Sequence, residues 1–142
     1  LMTKLELLED WYRRVWVDAD LTAIDHYFAP RAGADGIMPD GQVGVEDFRA
    51  LVPALLALIR DLRIEIDRSL ETGEWIWAQF TVHAVAALGS NPICARGQVM
   101  VRVEDEKITE AYNSFDFVTF FEQAGLLPDD AFMLLLSGER LG

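Results

Sequence analysis

Residues 96–128 read RGQVMVRVEDEKITEAYNSFDFVTFFEQAGLLP, and this stretch decides the fold that the sequence predicts. Alternating apolar residues on both sides of Asp105-Glu106 indicate a β-hairpin with a two-residue turn, followed by a helix from about Val118 to Ala124. Simple antiparallel pairing outward from that turn sets Val99 opposite Tyr112, because directly opposed residues share a face. One face of the hairpin is therefore expected to carry Val99, Val101, Tyr112, Ser114 and Asp116.

Asp116 is the residue on this face that needs an explanation. A carboxylate among valines and a tyrosine is costly unless it is partnered, protonated or used. One interpretation is a helix N-cap, in which the carboxylate accepts backbone N–H bonds of the helix that follows. The other is a pocket carboxylate with a pKa raised by desolvation, placed to move a proton next to a carbonyl. The second interpretation makes Asp116 the candidate acid/base, with Tyr112 and Ser114 as groups that could polarise the carbonyl.

The rest of the chain predicts helices first and strands afterwards. Thr3 and Glu6 have the spacing of a capping box ahead of an amphipathic helix. This order argues for one α+β domain over residues 1–142, with helices on one face of a curved, mostly antiparallel sheet. The further expected elements are a short helix after Asp20 stopped by Pro30, a loop over 31–44 with one short strand near Ile37-Met38, a helix over 45–60 kinked at Pro53, and strands over 62–70 and 75–88.

Composition and charge narrow the classes of partner. Twelve basic and 24 acidic residues give a formal net charge of −12, which disfavours nucleic acids and anionic membranes. The single cysteine excludes an internal disulfide, and no Cys/His cluster predicts a metal site. Without a signal pattern or an apolar run long enough to span a bilayer, the chain is expected to be cytoplasmic.

Several motifs of the chain also resemble a known family. The segment KITEAYNSFDFVTFFEQAGLLP is similar to the closing segment of SnoaL-like polyketide cyclases in the nuclear transport factor 2-like superfamily. The resemblance implies a cone-shaped fold that encloses a pocket, a homodimer formed through the sheet, and cofactor-independent chemistry with Asp116 as the acid/base of an aldol closure. The position at which those cyclases commonly carry a histidine is Val101 here. The residues that carry the likeness are Glu110, Tyr112, Asn113, Asp116, Gln123, Gly125 and Pro128.

The missing histidine leaves two main functions open. His83 on the neighbouring long strand could replace it, or could be a structural residue on the other face of the sheet. The protein is then a cyclase or isomerase acting on a hydrophobic carbonyl compound with Asp116, His83 and Tyr112 as its catalytic groups. The alternative is a non-catalytic binding or carrier module that uses the same pocket. An epoxide hydrolase is a weaker possibility, because Arg96 and Arg102 face away from Asp116, and a pure assembly domain without a cavity is another.

Aromatic residues supply most of the expected pocket wall. Such walls suit a flat hydrophobic ligand, for instance a polycyclic or terpenoid-like carbonyl compound. The other face of the hairpin, with Arg96, Gln98, Met100, Arg102 and Asn113, suits a homodimer interface or an ordinary solvated surface. The residues expected to bind the ligand are Trp11, Tyr12, Trp16, Tyr27, Met38, Phe48, Val99, Val101 and Ser114.

Overall fold

The computed structural model describes residues 1–142 and shows helices packed on one face of an open five-stranded sheet. This is the expected α+β architecture. None of the helices is both long and apolar enough to cross a bilayer. The α-helices are α1 (Lys4–Trp11), α2 (Ile24–Tyr27), α3 (Val45–Leu56), α4 (Phe117–Gln123) and α5 (Ala131–Leu136). The strands are β1 (Phe28–Asp35), β2 (Ile59–Thr72), β3 (Trp75–Ala86), β4 (Pro92–Glu104) and β5 (Lys107–Phe115).

The first helix begins at the predicted capping box. The Thr3 hydroxyl accepts a hydrogen bond from the Glu6 backbone N–H at 3.1 Å, and the Glu6 carboxylate accepts one from the Thr3 N–H at 2.9 Å. After Trp11 the helix continues as a π-helix over Tyr12–Val17. A π-helix is a wider turn than an α-helix, and such turns are frequent at functional sites.

The region after α1 differs from its prediction because a strand replaces the expected loop. Asp20 caps a 3₁₀ turn over Leu21–Ala23, α2 is only one turn long, and β1 begins at Phe28. Pro30 therefore lies inside β1. This is permitted because β1 is an edge strand, where a missing N–H costs no ladder bond. β1 pairs in parallel with β5, whereas the other neighbouring strands pair antiparallel in the order β1-β5-β4-β3-β2.

The inner face of the sheet is apolar and is covered by helices. In β3 the even-numbered residues Ile76 to Ala86 are buried, and the alternate residues from Trp75 to Val85 face outward, as their alternation predicts. Residues of α1, α2 and α3 pack in one buried cluster with this face. Helix α4 packs on the far end of β3 and β4 through Phe120 and Ala124. A concave apolar surface is thus enclosed between the sheet and the helices.

The observed pairing of β4 with β5 differs from the pairing expected from the sequence. Val103 pairs with Ile108 as predicted, but the next pair is Arg102 with Glu110, so Thr109 is an extra residue in β5. This β-bulge shifts every later pair by one position, which brings a strand's side chains to the opposite face. Val99 consequently faces Asn113 instead of Tyr112. The inner face carries Ala111, Asn113 and Phe115, and the outer face carries Tyr112, Ser114 and Asp116.

Candidate functional site

An apolar cavity of about 130 Å³ lies between the helices and the inner face of the sheet. Its wall is formed by 24 residues, of which 22 are hydrophobic. Gly36 belongs to the wall and is also solvent-exposed, so the cavity reaches the surface at the end of β1. Six of the residues expected to bind a ligand line this cavity: Trp11, Tyr12, Trp16, Phe48, Val99 and Val101.

The first helix and its π-helical extension supply one wall. Leu8, Tyr12 and Trp16 recur every four residues and all line the cavity. The Tyr12 ring packs against the ring of Phe80 on β3, with 5.3 Å between their centroids. Tyr12 is half-buried and belongs to the cavity wall.

Tyr12 supplies a neutral hydrogen-bond donor to the cavity. Burial raises the pKa of its phenol well above the usual value, because the charged phenolate would lose its hydration there. The hydroxyl therefore stays protonated at neutral pH. The hydroxyl makes no hydrogen bond within the protein, and it is not fully buried.

Asn113 carries the only side-chain amide in the cavity wall. Its Nδ2 donates to the backbone oxygen of Asp35 at 3.1 Å, which ties β5 to the end of β1. Its Oδ1 has no protein partner and remains an available acceptor. Sequence reasoning placed Asn113 on the outer face, and the bulge at Thr109 is what brings it inside.

Asp116 lies outside the cavity, so its predicted placement in a pocket is wrong. Its carboxylate caps α4: Oδ1 accepts from the Thr119 backbone N–H at 3.0 Å, and Oδ2 accepts from the Thr119 hydroxyl at 2.6 Å. The residue is exposed and does not contribute to the cavity wall. The structure therefore supports the capping interpretation.

The two other candidate catalytic residues also lie on the outer face. The Nε2 atom of His83 is 3.3 Å from a carboxylate oxygen of Glu65, and His83 stands opposite Cys94. The Tyr112 hydroxyl donates to Glu110 at 2.8 Å, and its ring stacks on Trp75. That hydrogen bond raises the pKa of Tyr112, because losing the proton would place two negative charges together. Neither residue contacts the cavity.

Three of the expected ligand-binding residues are likewise elsewhere. Tyr27 is buried in the core, where its hydroxyl donates to Asp10 at 3.3 Å and accepts from Arg14 at 3.1 Å. Met38 is exposed in the loop after β1, and Ser114 is exposed on the outer face. The same loop does reach the cavity, through Ile37 next to Met38.

Several wall residues were missed by sequence reasoning. Phe80 could have been found, because it alternates with the outward-facing residues of β3 that the pattern identified. Phe115 and Asn113 could not, since their facing depends on the bulge. Seven of the fifteen other missed residues come from α3, β2 and α4: Leu55, Leu56, Ile59, Leu62, Ile64, Phe117 and Phe120.

The cavity wall contains neither an acidic nor a basic side chain, since no Asp, Glu, His, Lys or Arg belongs to it. Val101, at the position where the resembled cyclases commonly carry a histidine, does line the cavity and is 1% exposed. No group of three or more His, Cys, Asp or Glu side chains is arranged to hold a metal ion.

Comparisons with known proteins agree on one family and one fold. A model of the SnoaL-like domain matches residues 8–111. No functionally curated protein matches the sequence. The solved structure of TsrD from Streptomyces laurentii aligns with a TM-score of 0.71 at 18% identity, over 89% of this chain and 100% of that one.

Two further solved structures show the same fold. A protein of ketosteroid isomerase-like fold from Catenulispora acidiphila aligns with a TM-score of 0.74 at 17% identity, over 89% of this chain and 98% of that one. A SnoaL-like polyketide cyclase from Agrobacterium tumefaciens aligns with a TM-score of 0.70 at 15% identity, over 87% and 98%. At these low identities the alignments show the fold alone. They confirm the expected nuclear transport factor 2-like α+β fold.

Proposed function

The chain belongs to the SnoaL-like domain family, and from that premise we propose that it binds an uncharged hydrophobic small molecule in the cavity between helices and sheet. The observation that carries the proposal is the composition of the wall, in which 22 of 24 residues are hydrophobic and none is charged. Apolar walls with a few convergent polar groups are the usual form of a small-molecule site.

The charge of the ligand follows from the cost of desolvation. An ionised group moved from water into an apolar cavity without a partner loses several kcal/mol of hydration that nothing there returns. A neutral carbonyl oxygen, by contrast, can accept a hydrogen bond from the Tyr12 hydroxyl. A neutral hydroxyl group can donate one to the side-chain oxygen of Asn113. The cavity is therefore suited to a neutral ketone, alcohol or phenol and unsuited to a carboxylate or an ammonium ion.

A matched pair of ligands tests this proposal. Acetophenone and benzoate have similar size and shape, but only benzoate is charged at pH 7. Calorimetric titration is expected to show binding of acetophenone and at least a hundredfold weaker binding of benzoate, which corresponds to about 2.7 kcal/mol. Equal binding of the two, or binding of neither, contradicts the proposal.

A pair of tyrosine variants locates the binding site. Tyr12→Phe removes the cavity hydroxyl and is expected to weaken acetophenone binding about three- to tenfold, the usual net value of one hydrogen bond. Tyr112→Phe is the matched control, because it removes a hydroxyl on the outer face. If both variants lose the same affinity, or neither loses any, the cavity is not the site.

The second candidate function is a cyclase or isomerase acting on a hydrophobic carbonyl compound. The protonated Tyr12 hydroxyl favours it, since this group can donate to a carbonyl oxygen in the cavity. Asp116, as the acid/base that the resemblance implies, would have to leave its cap on α4. Deuterium exchange at the methyl group of acetophenone, followed by NMR, tests this candidate: protein-catalysed exchange that disappears in Asp116→Asn supports it, and no exchange supports a binding module.

We also propose that two copies associate through the outer face of the sheet. An apolar row crosses four strands on this face, in which each residue lies directly opposite the next: Leu70, Trp77, Met100 and Tyr112. Leu70, Met100 and Tyr112 are each more than a third exposed in the single chain. Arg96, Gln98 and Arg102 flank the row, as expected from the sequence, but Asn113 does not belong to this face. Location in the cytoplasm stays a prediction.

A further inference from the structure

The volume of the cavity limits the size of its ligand. At about 130 Å³ it is smaller than the pockets of roughly 300–1,000 Å³ that hold drug-sized molecules. It is close to the apolar cavities of about 150 Å³ that hold a single benzene molecule. The polycyclic ligand expected from the aromatic residues therefore exceeds the volume that the cavity can enclose.

Two phenylalanine rings form the floor of the cavity. Phe80 on β3, Gly97 on β4 and Phe115 on β5 stand directly opposite one another in one row of the sheet. The rings of Phe80 and Phe115 are nearly parallel, at 10°, with 6.1 Å between their centroids. Both residues belong to the cavity wall.

Gly97 allows these rings to lie close against the sheet. A Cβ atom at position 97 would stand 2.6 Å from Cζ of Phe80, 2.9 Å from the backbone oxygen of Ser114 and 3.0 Å from Cδ1 of Phe115. Real Cβ contacts are essentially never shorter than 3.0 Å, so a side chain at Gly97 forces the Phe80 ring or the Ser114 backbone to move. Phe80 lines the cavity, so a displaced ring changes the shape of the cavity.

Neighbouring aromatic rings keep the floor in place. Tyr12 packs on Phe80 with 5.3 Å between ring centroids. The rings of Phe117 and Phe120 pack in edge-to-face geometry with the ring of Phe115, with 4.9 and 5.9 Å between the ring centroids. Because both floor rings already contact neighbouring aromatic rings, they cannot move to admit a larger ligand without breaking these contacts.

We infer that the cavity selects a ligand with a single six-membered ring and that the row Phe80–Gly97–Phe115 sets this size limit. The inference rests on the proposed binding function, and it adds to that function which of the neutral hydrophobic compounds is accepted. Gly97 and the two phenylalanines act here as specificity-determining residues.

A series of ketones with one to three fused rings tests the size limit. Acetophenone, 2-acetylnaphthalene and 2-acetylanthracene carry the same acetyl group, so only ring number changes. For the wild-type protein, calorimetric titration is expected to show at least tenfold weaker binding of 2-acetylnaphthalene than of acetophenone and no binding of 2-acetylanthracene. Equal binding of the one- and two-ring ketones overturns the inference and leaves the proposed function standing, whereas binding of none overturns both.

Phe115→Leu tests which residues set the limit. The smaller side chain opens the floor, so 2-acetylnaphthalene is expected to gain at least tenfold in affinity while acetophenone changes less than threefold. Phe121→Leu is the matched control, because Phe121 packs on Phe117 and Phe120 but does not line the cavity. An unchanged ratio of the two affinities in Phe115→Leu, or the same change in Phe121→Leu, overturns the role of the floor.

Gly97→Ala tests the opposite direction. The added methyl group is expected to push the rings into the cavity and to weaken acetophenone binding at least tenfold. Near-ultraviolet circular dichroism and a thermal melt check that the variant is folded. If it does not fold, Phe80→Leu replaces it and is expected to widen the accepted range as Phe115→Leu does; an unchanged range there counts against the inference.

Discussion

The role of Asp116 gives the sharpest prediction, because its two interpretations differ in what a substitution costs. Its carboxylate accepts two hydrogen bonds from Thr119 at the first turn of α4. Replacing an N-cap Asp by Ala costs about 1 kcal/mol, and the lost interaction with the helix dipole adds about 0.3–1 kcal/mol. Asn keeps an acceptor oxygen and is about as good an N-cap as Asp.

Asp116→Ala is therefore expected to lower the free energy of unfolding by about 1–2 kcal/mol and the melting temperature by about 3–7 °C. Asp116→Asn is expected to cost about 0.3–1 kcal/mol, because the amide keeps the cap but removes the charge that interacts with the helix dipole. Neither variant should change the affinity for acetophenone more than twofold, because the residue lies outside the cavity wall. Urea unfolding followed by fluorescence measures the first quantity and calorimetric titration the second.

Thr119→Ala provides the partner for a double-mutant cycle with Asp116→Ala. The two substitutions remove parts of the same pair of hydrogen bonds, so the double variant should be more stable than the sum of the single losses predicts. One result would refute the capping interpretation: Asp116→Asn with unchanged stability and a large loss of ligand affinity or turnover. The carboxylate would then act on a ligand.

Three further predictions concern other parts of the molecule. A hydrogen bond from Tyr112 lowers the pKa of Glu110, so the ionised carboxylate stabilises the fold above its unfolded pKa and loses that contribution as pH falls. In urea unfolding, the free energy of unfolding of Glu110→Gln should be lower than that of the wild type at pH 7, and the difference should shrink toward pH 3. Met100→Glu places a charge in the apolar row of the outer face and is expected to shift sedimentation from dimer to monomer, whereas a monomeric wild-type protein would contradict the proposed interface. Gly36→Ala is expected to destabilise the fold by about 1–3 kcal/mol or more in urea unfolding, because Gly36 has a φ of +81° and a Cβ there would stand 1.9 Å from the backbone oxygen of Asn113; near-wild-type stability would contradict this packing.

Much of the fold followed from local signals in the sequence. The capping box at Thr3 and Glu6, the alternation along β3 and the two-residue turn at Asp105-Glu106 each depend on neighbouring residues only, and each was predicted correctly. β1 was missed because its pairing with β5 is non-local and because Pro30 usually argues against a strand.

The candidate site was harder to predict because it depends on one extra residue. Nothing in the residue type of Thr109 marks a bulge, since threonine is common in regular strands. Alternation could not resolve the register either. Ala111, Asn113 and Phe115 are about as mixed in polarity as Tyr112, Ser114 and Asp116, so either set could face a core. The helical aromatic residues Trp11, Tyr12 and Trp16 do not depend on strand register, and all three line the cavity.

The extra residue in β5 also bears on how the chemistry of this chamber could change. Point substitutions replace one wall residue at a time. Deletion of Thr109 would instead turn every later side chain of β5 to the opposite face of the sheet. A phenol, an alcohol and a carboxylate would then exchange places with a methyl group, an amide and a benzyl group in one step. A single-residue insertion or deletion at this position can therefore place proton-transferring groups in a cavity that lacks them, or remove such groups from it.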